Sequence, residues 1–244
     1  MTEIKTEIKI DLVTANRSHK YYISGDPKVD PKKGLPSCTT VGKFVDTGGD
    51  GLIYWGIDQY IATGERSAFA TSRDESGAIG SRLHDDIDRY IRTGEWPNPA
   101  SMLFSTWYAA VGEIVRFSES EVLIYNGNLG YGGTVDALGA IDDKRIIFDW
   151  KTVNLLDSKG KRKSDTSVPR ISYASQIGGY ILALEYMGKP VDAAYVLSVG
   201  RDIPEAVWAA VDIPAAKALF MASLSVYNAT RTKSIKAVAD VGSM

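Results

Sequence analysis

One cysteine, Cys38, stands in the whole chain of 244 residues. That excludes an intrachain disulfide framework, a thiolate zinc cluster and an iron–sulfur cluster. An excess of charge of one sign is missing too. The 28 Lys and Arg residues against 30 Asp and Glu leave a net charge of -2. Bulk charge therefore gives no support to nucleic-acid binding, and it argues against tight nonspecific coating of DNA. A local basic patch can still act, because phosphate contacts work over roughly 8–10 Å of screening length. No apolar run approaches the ~20 residues of a membrane span. The opening Met1–Lys5 is charged and lacks a signal-peptide core. A cytoplasmic location is expected, the host cytoplasm if the protein is viral. There is no nucleotide-binding P-loop, no helicase region and no internal repeat.

What is there reads as one globular domain. Hydrophobic residues make up 44% and charged residues 24%, the ordinary balance of a folded chain. Residues 1–115 read as an N-terminal portion of short strands, loops and helices, 116–213 as a sheet core, and 214–244 as a C-terminal helix and tail. Ser37 is placed to cap a short helix at Pro36–Thr40. Gly51–Thr63 reads as a helix with Leu52, Trp55, Tyr60 and Ile61 facing inward. Ile79, Leu83, Ile87, Tyr90 and Ile91 recur at helical spacing, and Gly94 stops that helix. A third helix is expected over Pro99–Val115, with Met102, Leu103, Tyr108 and Val111 in the core.

The period then changes. Glu121–Tyr125, Tyr131–Gly139 and Arg145–Thr152 read as three strands joined by turns at Asn126-Gly127-Asn128 and Asp142-Asp143. A helix over Ser172–Met187, strands over Ala193–Val199 and Ala206–Ile213, and a helix over Pro214–Thr230 follow. Helices, three strands, a helix and further strands predict an α/β fold with a central mixed sheet flanked by helices.

Chemistry concentrates on the third strand. Alternation puts Ile147, Asp149 and Lys151 on one face and Ile146, Phe148 and Trp150 on the other. A carboxylate and an ammonium side by side at the end of an apolar strand are costly unless paired or used. A hairpin brings Asp136, which follows Gly132-Gly133-Thr134-Val135, close to Asp149. Two carboxylates beside a lysine suit a hard divalent cation and a polarised water, the chemistry of phosphodiester hydrolysis. A bare Asp–Lys ion pair at a sheet edge is the alternative.

With its neighbours the pattern resembles a known family. Gly132-Gly133-Thr134-Val135-Asp136 and Ile146–Thr152, with Asp149-Trp150-Lys151 inside it, are similar to the PD-(D/E)XK nuclease superfamily in its RecB-like exonuclease branch. Gln176-Ile-Gly-Gly-Tyr180 resembles that branch's Q-x-x-x-Y helix, and Gly80-Ser-Arg-Leu-His84 its G-x-x-H helix. Glu121 matches a further acidic position. Leu35-Pro-Ser-Cys-Thr39-Thr40 and Gly51–Trp55 resemble the lead-in of phage and mitochondrial-genome-maintenance-type exonucleases. The likeness spans roughly residues 19–200. Val135 stands where the family prefers Pro.

The resemblance implies a restriction-endonuclease-like core and a Mg²⁺- or Mn²⁺-dependent DNA exonuclease. It implies catalytic roles for Asp136, Asp149, Lys151, Gln176 and Tyr180, and a metal set of His84, Glu121, Asp136, Asp149 and Trp150. Glu119 and Glu113 compete with Glu121. Gln176 and Tyr180 share a helix face, so Gln176 can orient the lysine or the scissile phosphate and Tyr180 can point its hydroxyl at Gln176. Asp88, one turn on from His84, is placed to fix its tautomer. Lys159, Lys161, Arg162, Lys163 and Arg170 form a basic loop that can clamp phosphates, extended by Arg82, Arg89 and Arg92. Tyr54, Trp55 and Trp107 are candidates for stacking on bases. DNA, as single strands or duplex ends, is the expected partner, with a recombination or replication protein beside it. A structure-specific endonuclease and a non-catalytic DNA-binding or assembly module are the competing readings. Polarity and oligomeric state are not legible.

Overall fold

The computed structural model describes residues 7–15, 18–45, 51–157, 159–163 and 170–231, apart from the side chains of residues 51–53 and 55. A small antiparallel sheet comes first: β1 (Lys9–Ala15), β2 (Ser18–Ser24) and β3 (Leu35–Pro36). Helix α1 (Cys38–Gly42) follows, and the Ser37 hydroxyl caps it by accepting from Thr40 N–H at 3.0 Å, as its sequence predicts. A 3₁₀ turn at Lys43–Val45 and three helices come next: α2 (Gly51–Thr63), α3 (Ala68–Thr93) and α4 (Met102–Val111).

The main sheet is built from β4 (Arg116–Asn126), β5 (Tyr131–Ile141), β6 (Lys144–Val153), β7 (Ala193–Gly200) and β8 (Ala206–Ala210), in that order. Helix α5 (Ile171–Tyr186) crosses from β6 to β7, which makes that pair parallel; the other pairs are antiparallel. Helix α6 (Ile213–Ala229) closes the described chain. The expected mixed α/β sheet with flanking helices is the observed architecture.

Two apolar layers hold the sheet. Ile147 and Val135 pack with Ile177, Tyr180 and Leu184 of α5 and Phe220 of α6. Phe148 and Trp150 pack on the other side with Leu83 and Ile87 of α3 and Phe104 and Trp107 of α4. The i, i+4 pair Leu83–Ile87 thus presents one stripe of α3 to the sheet. Helices α5 and α6 approach closely at Gly178, where a Cβ would lie 2.0 Å from the Ala216 carbonyl oxygen.

Several expectations are corrected. Tyr60 and Ile61 do not face inward; they are 52% and 74% exposed. The side of α2 that meets α3 is marked by Gly56, which rests on the Phe69 ring. The Leu52 and Trp55 side chains lie outside the described residues. Helix α3 reaches back to Ala68 before Gly94 ends it with φ +73°. Helix α4 begins only at Met102, capped by Ser101, and Met102 is 45% exposed while Phe104 and Trp107 take the core. Strand β8 stops at Ala210, because Asp212 caps α6 by accepting from Ala215 N–H at 3.0 Å. Among the described residues, no helix is long and apolar enough to cross a membrane.

Candidate functional site

The β5–β6 ladder runs from Ile141–Lys144 to Ala137–Phe148 and ends there. Asp136 is the next residue of β5. Its Oδ2 accepts the backbone N–H of Trp150 at 2.7 Å, so a side chain satisfies a donor that the sheet leaves free. Trp150 itself is buried among Trp107, Phe117 and Phe148. Its side chain is therefore no ligand, and its observed contribution here is that N–H.

On the neighbouring strand, Glu121 has φ +48°, a backbone form that costs a non-glycine residue about 1–2 kcal/mol. The ladder pairs Ser120 with Ala137 and Val122 with Val135, which sets Glu121 opposite Asp136. From α3, His84 Nδ1 lies 3.7 Å from Glu121 Oε1 and 3.8 Å from Asp136 Oδ1. One ligand atom from each of His84, Glu121 and Asp136 falls within 4.8 Å of the others. Helix α3, β4 and β5 thus each bring one side chain to the same place. Asp88 does not orient His84; its Oδ1 accepts from Ser120 Oγ at 2.5 Å and Arg92 Nε at 2.6 Å. Glu119 pairs with Lys189 at 3.4 Å, and Glu113 is exposed and outside the cluster.

Asp149 sits beside this triad but outside it. It is fully buried, with Oδ2 2.5 Å from Lys151 Nζ and Oδ1 accepting from Gln176 Nε2 at 3.2 Å. The same Gln176 nitrogen donates to the Tyr180 hydroxyl. Tyr180 lies flat enough on β5 that a Cβ at Gly133 would meet its ring at 3.0 Å and Cys38 Sγ at 2.9 Å. Gly132 makes the same room for Tyr21, whose ring would meet a Cβ at 2.5 Å. The two glycines before Asp136 are therefore explained by two tyrosines.

The charges are strongly coupled. Burial pushes the Asp149 carboxyl up, and Asp136 adds to this; Lys151 and His84 pull it back, leaving a pKa of about 6. Burial opposes charge on Lys151, but Asp149 and Asp136 outweigh it and the ammonium is held above its usual range. Burial likewise opposes the His84 imidazolium, yet Asp136 and Glu121 raise its pKa to about 9. Two partly buried cations, His84 and Lys151, thus face three carboxylates, Glu121, Asp136 and Asp149, and opposite charges offset much of the cost of burial.

An open cleft of about 390 Å³ lies over the site, lined by His84, Glu121, Asp136, Lys151, Gln176 and Tyr180. Further lining groups went unread in the sequence, among them Tyr173, Tyr21 and His19. Tyr173 places its ring 5.3 Å from Lys151 Nζ and 5.8 Å from Arg170 Cζ. Tyr21 bonds Thr134 Oγ1 at 3.0 Å, two residues before Asp136. His19 reaches in from β2. Only Tyr173 carried a readable signal, lying one turn before Gln176 on the same helix.

The described part of the basic loop makes contacts of its own. Asp157 Oδ1 accepts from the N–H groups of Lys159 and Lys161, Lys163 Nζ donates to the Asn154 carbonyl, and Arg162 pairs with Glu205. None of these basic side chains lines the cleft. Residues 164–169 lie outside the described residues. Arg170 alone of the expected clamp touches a lining residue. Arg82 is exposed on α3, whereas Arg89 and Arg92 pair with Asp86 and Asp88. Trp107 is buried and unavailable for stacking, while Tyr54 is exposed on α2 and does not line the cleft.

No family model and no curated protein matches the chain. Among solved structures, one titled "Crystal structure of SSO0001" aligns over 84% of this chain and 82% of its own, at 14% identity and a TM-score of 0.37. A likeness of that size carries no argument about fold or function.

Proposed function

We propose that the chain is a Mg²⁺- or Mn²⁺-dependent deoxyribonuclease of the RecB-like PD-(D/E)XK type, acting as an exonuclease. The observation that carries this is the convergence of His84, Glu121 and Asp136 beside the Asp149–Lys151 pair in one open cleft. The run α3-α4-β4-β5-β6-α5-β7, with β6 and β7 parallel across α5, supports a restriction-endonuclease-like core.

The donor set fits the cation. One imidazole nitrogen and carboxylate oxygens suit Mn²⁺ or Mg²⁺, while the one thiol, Cys38, is buried outside the cleft lining. When bound, such an ion supplies positive charge to a phosphate oxygen and acidifies a water. His84, Glu121 and Asp136 would hold it, with Asp149 alongside. Lys151 aligns the attacking water and offers its ammonium to the phosphate. Gln176 fixes the Asp149 carboxylate that steers Lys151, and Tyr180 fixes Gln176. A role in recombination, repair or replication of a phage or mobile element, with a partner protein, follows by family likeness alone.

End-labelled DNA incubated with Mn²⁺ or Mg²⁺ tests the reading. The parent releases label and Asp149→Ala does not; equal rates sink the assignment. A covalently closed single-stranded circle stays intact under a strict exonuclease, and its cleavage selects the endonuclease. Absence of Mn²⁺ binding in calorimetry selects a non-catalytic module.

A further inference from the structure

The β1–β2 pair has one face that changes character along its length. Cross-strand partners Ile10–Ile23, Leu12–Tyr21 and Thr14–His19 share that face, since each is two residues from the next. At one end Ile23 and Tyr21 are buried in a small core with Tyr125. Toward the other end the same face emerges over the cleft: Leu12 is 38% exposed yet lines it, and so does His19. Tyr21 anchors the passage, because its bond to Thr134 fixes the pair two residues from Asp136. The face has no carboxylate. Thr14 Oγ1 engages His19 Nδ1 at 3.0 Å, which leaves Nε2 as the ring nitrogen available to a ligand. Both histidines of the chain thus line one cleft, His84 with the acidic cluster and His19 on the wall.

We infer that this wall is a contact surface for the substrate strand, holding the nucleotide next to the phosphate that is cut. The inference rests on the nuclease reading above and adds to it which residues grip the substrate. Leu12 packs on the sugar or base, and His19 Nε2 hydrogen-bonds the adjoining phosphate. The cleft's 390 Å³ falls within the range of small-molecule pockets, roughly 300–1,000 Å³, room enough for one nucleotide. Continuity decides the occupant: a strand with its phosphate at Asp136 and Lys151 must pass the wall fixed beside them. A binding contact of this kind acts equally before and at the transition state, so it changes KM and spares kcat.

The test is steady-state cleavage of a labelled oligothymidylate in Mn²⁺ by the parent, His19→Ala, Leu12→Ala and Val13→Ala. Val13 lies on the opposite face and is exposed, so it controls for general weakening of the strand pair. Expected is a KM raised about tenfold in His19→Ala, the size of one lost charge-assisted hydrogen bond, with kcat within about twofold. Leu12→Ala shifts KM in the same direction and Val13→Ala does not. Parent-like KM in both His19→Ala and Leu12→Ala overturns the wall while leaving the nuclease standing. An equal rise in Val13→Ala overturns it as well. A parent that neither cleaves nor binds the oligonucleotide overturns the nuclease reading and the wall together.

Discussion

The Asp136 carboxylate bonds the Trp150 main chain at 2.7 Å with one oxygen and faces His84 at 3.8 Å with the other. One side chain thus finishes the sheet and begins the cluster. Substitution separates the two jobs. Asp136→Asn keeps an amide oxygen for the Trp150 N–H but loses the charge. It should unfold within about 1 kcal/mol of the parent, with Mn²⁺ binding weakened at least about tenfold. Asp136→Ala strands the buried N–H and should cost about 1–3 kcal/mol besides. Chemical denaturation and calorimetry read both. Equal stability loss in the two variants would contradict the division.

His84 sets a pH dependence. Its pKa is raised from an ordinary 6.5 to about 9. Below about 6.5 the imidazolium exists in folded and unfolded chains alike, and its attraction to Asp136 and Glu121 stabilises the metal-free fold in full. That contribution is lost as pH rises through about 9. Metal binding runs the other way, because a ligand imidazole must be neutral. Mn²⁺ affinity should climb by up to about tenfold per pH unit toward 9, with release of a proton. Calorimetry in buffers of different ionisation enthalpy measures that proton. In His84→Gln the pH dependence should flatten, and a profile as steep as the parent's would remove His84 from the ligand set.

How far the sequence could go is visible in these residues. Period-two alternation placed Asp149 and Lys151 on one face and Trp150 on the other, and the i, i+4 spacing joined Gln176 to Tyr180. Those are local relations, fixed by backbone geometry. Which of several possible partners a charged group takes was unreadable. Ser120 and Arg92 claim Asp88, so it never reaches His84. Glu205 pairs with Arg162 of the basic loop read as a phosphate clamp, and Asp157 accepts main-chain N–H groups there. Glu121 enters the cluster through a left-handed kink that no alternation rule anticipates. Tyr60 and Ile61 stay exposed among the described residues, because α2 meets α3 on the Gly56 side.

Lys151 tests the buried pair. Replacing it by Met leaves the Asp149 carboxylate buried without its counter-ion, a loss of about 3–5 kcal/mol at neutral pH. The sign with pH then follows. Asp149 already titrates near 6 because burial favours its neutral form, and losing Lys151 raises it further. A carboxyl whose folded pKa exceeds its unfolded value favours folding as pH falls. Lys151→Met should therefore regain stability on acidification from about pH 8 through 6. Thermal melts across that range decide it: a variant that is no less stable than the parent at about pH 8, or that loses stability on acidification, would show that Asp149 is not held charged by Lys151.

Tyr173 is the group most exposed to a direct test of how Lys151 is aimed. Its ring stands 5.3 Å from the ammonium, within reach of a cation–π attraction of about 0.5–2 kcal/mol. Phenylalanine keeps the ring and leucine removes it, with little change in volume at a half-buried wall position. Tyr173→Phe should retain kcat within about twofold. Tyr173→Leu should lose about 2- to 30-fold in kcat, the same attraction expressed as a rate, with KM moving less. The kcat-to-KM split matters, because a residue that merely walls the cleft would raise KM in both variants. If leucine and phenylalanine behave alike, the hydroxyl or the wall is what counts, and Lys151 is aimed by Asp149 alone.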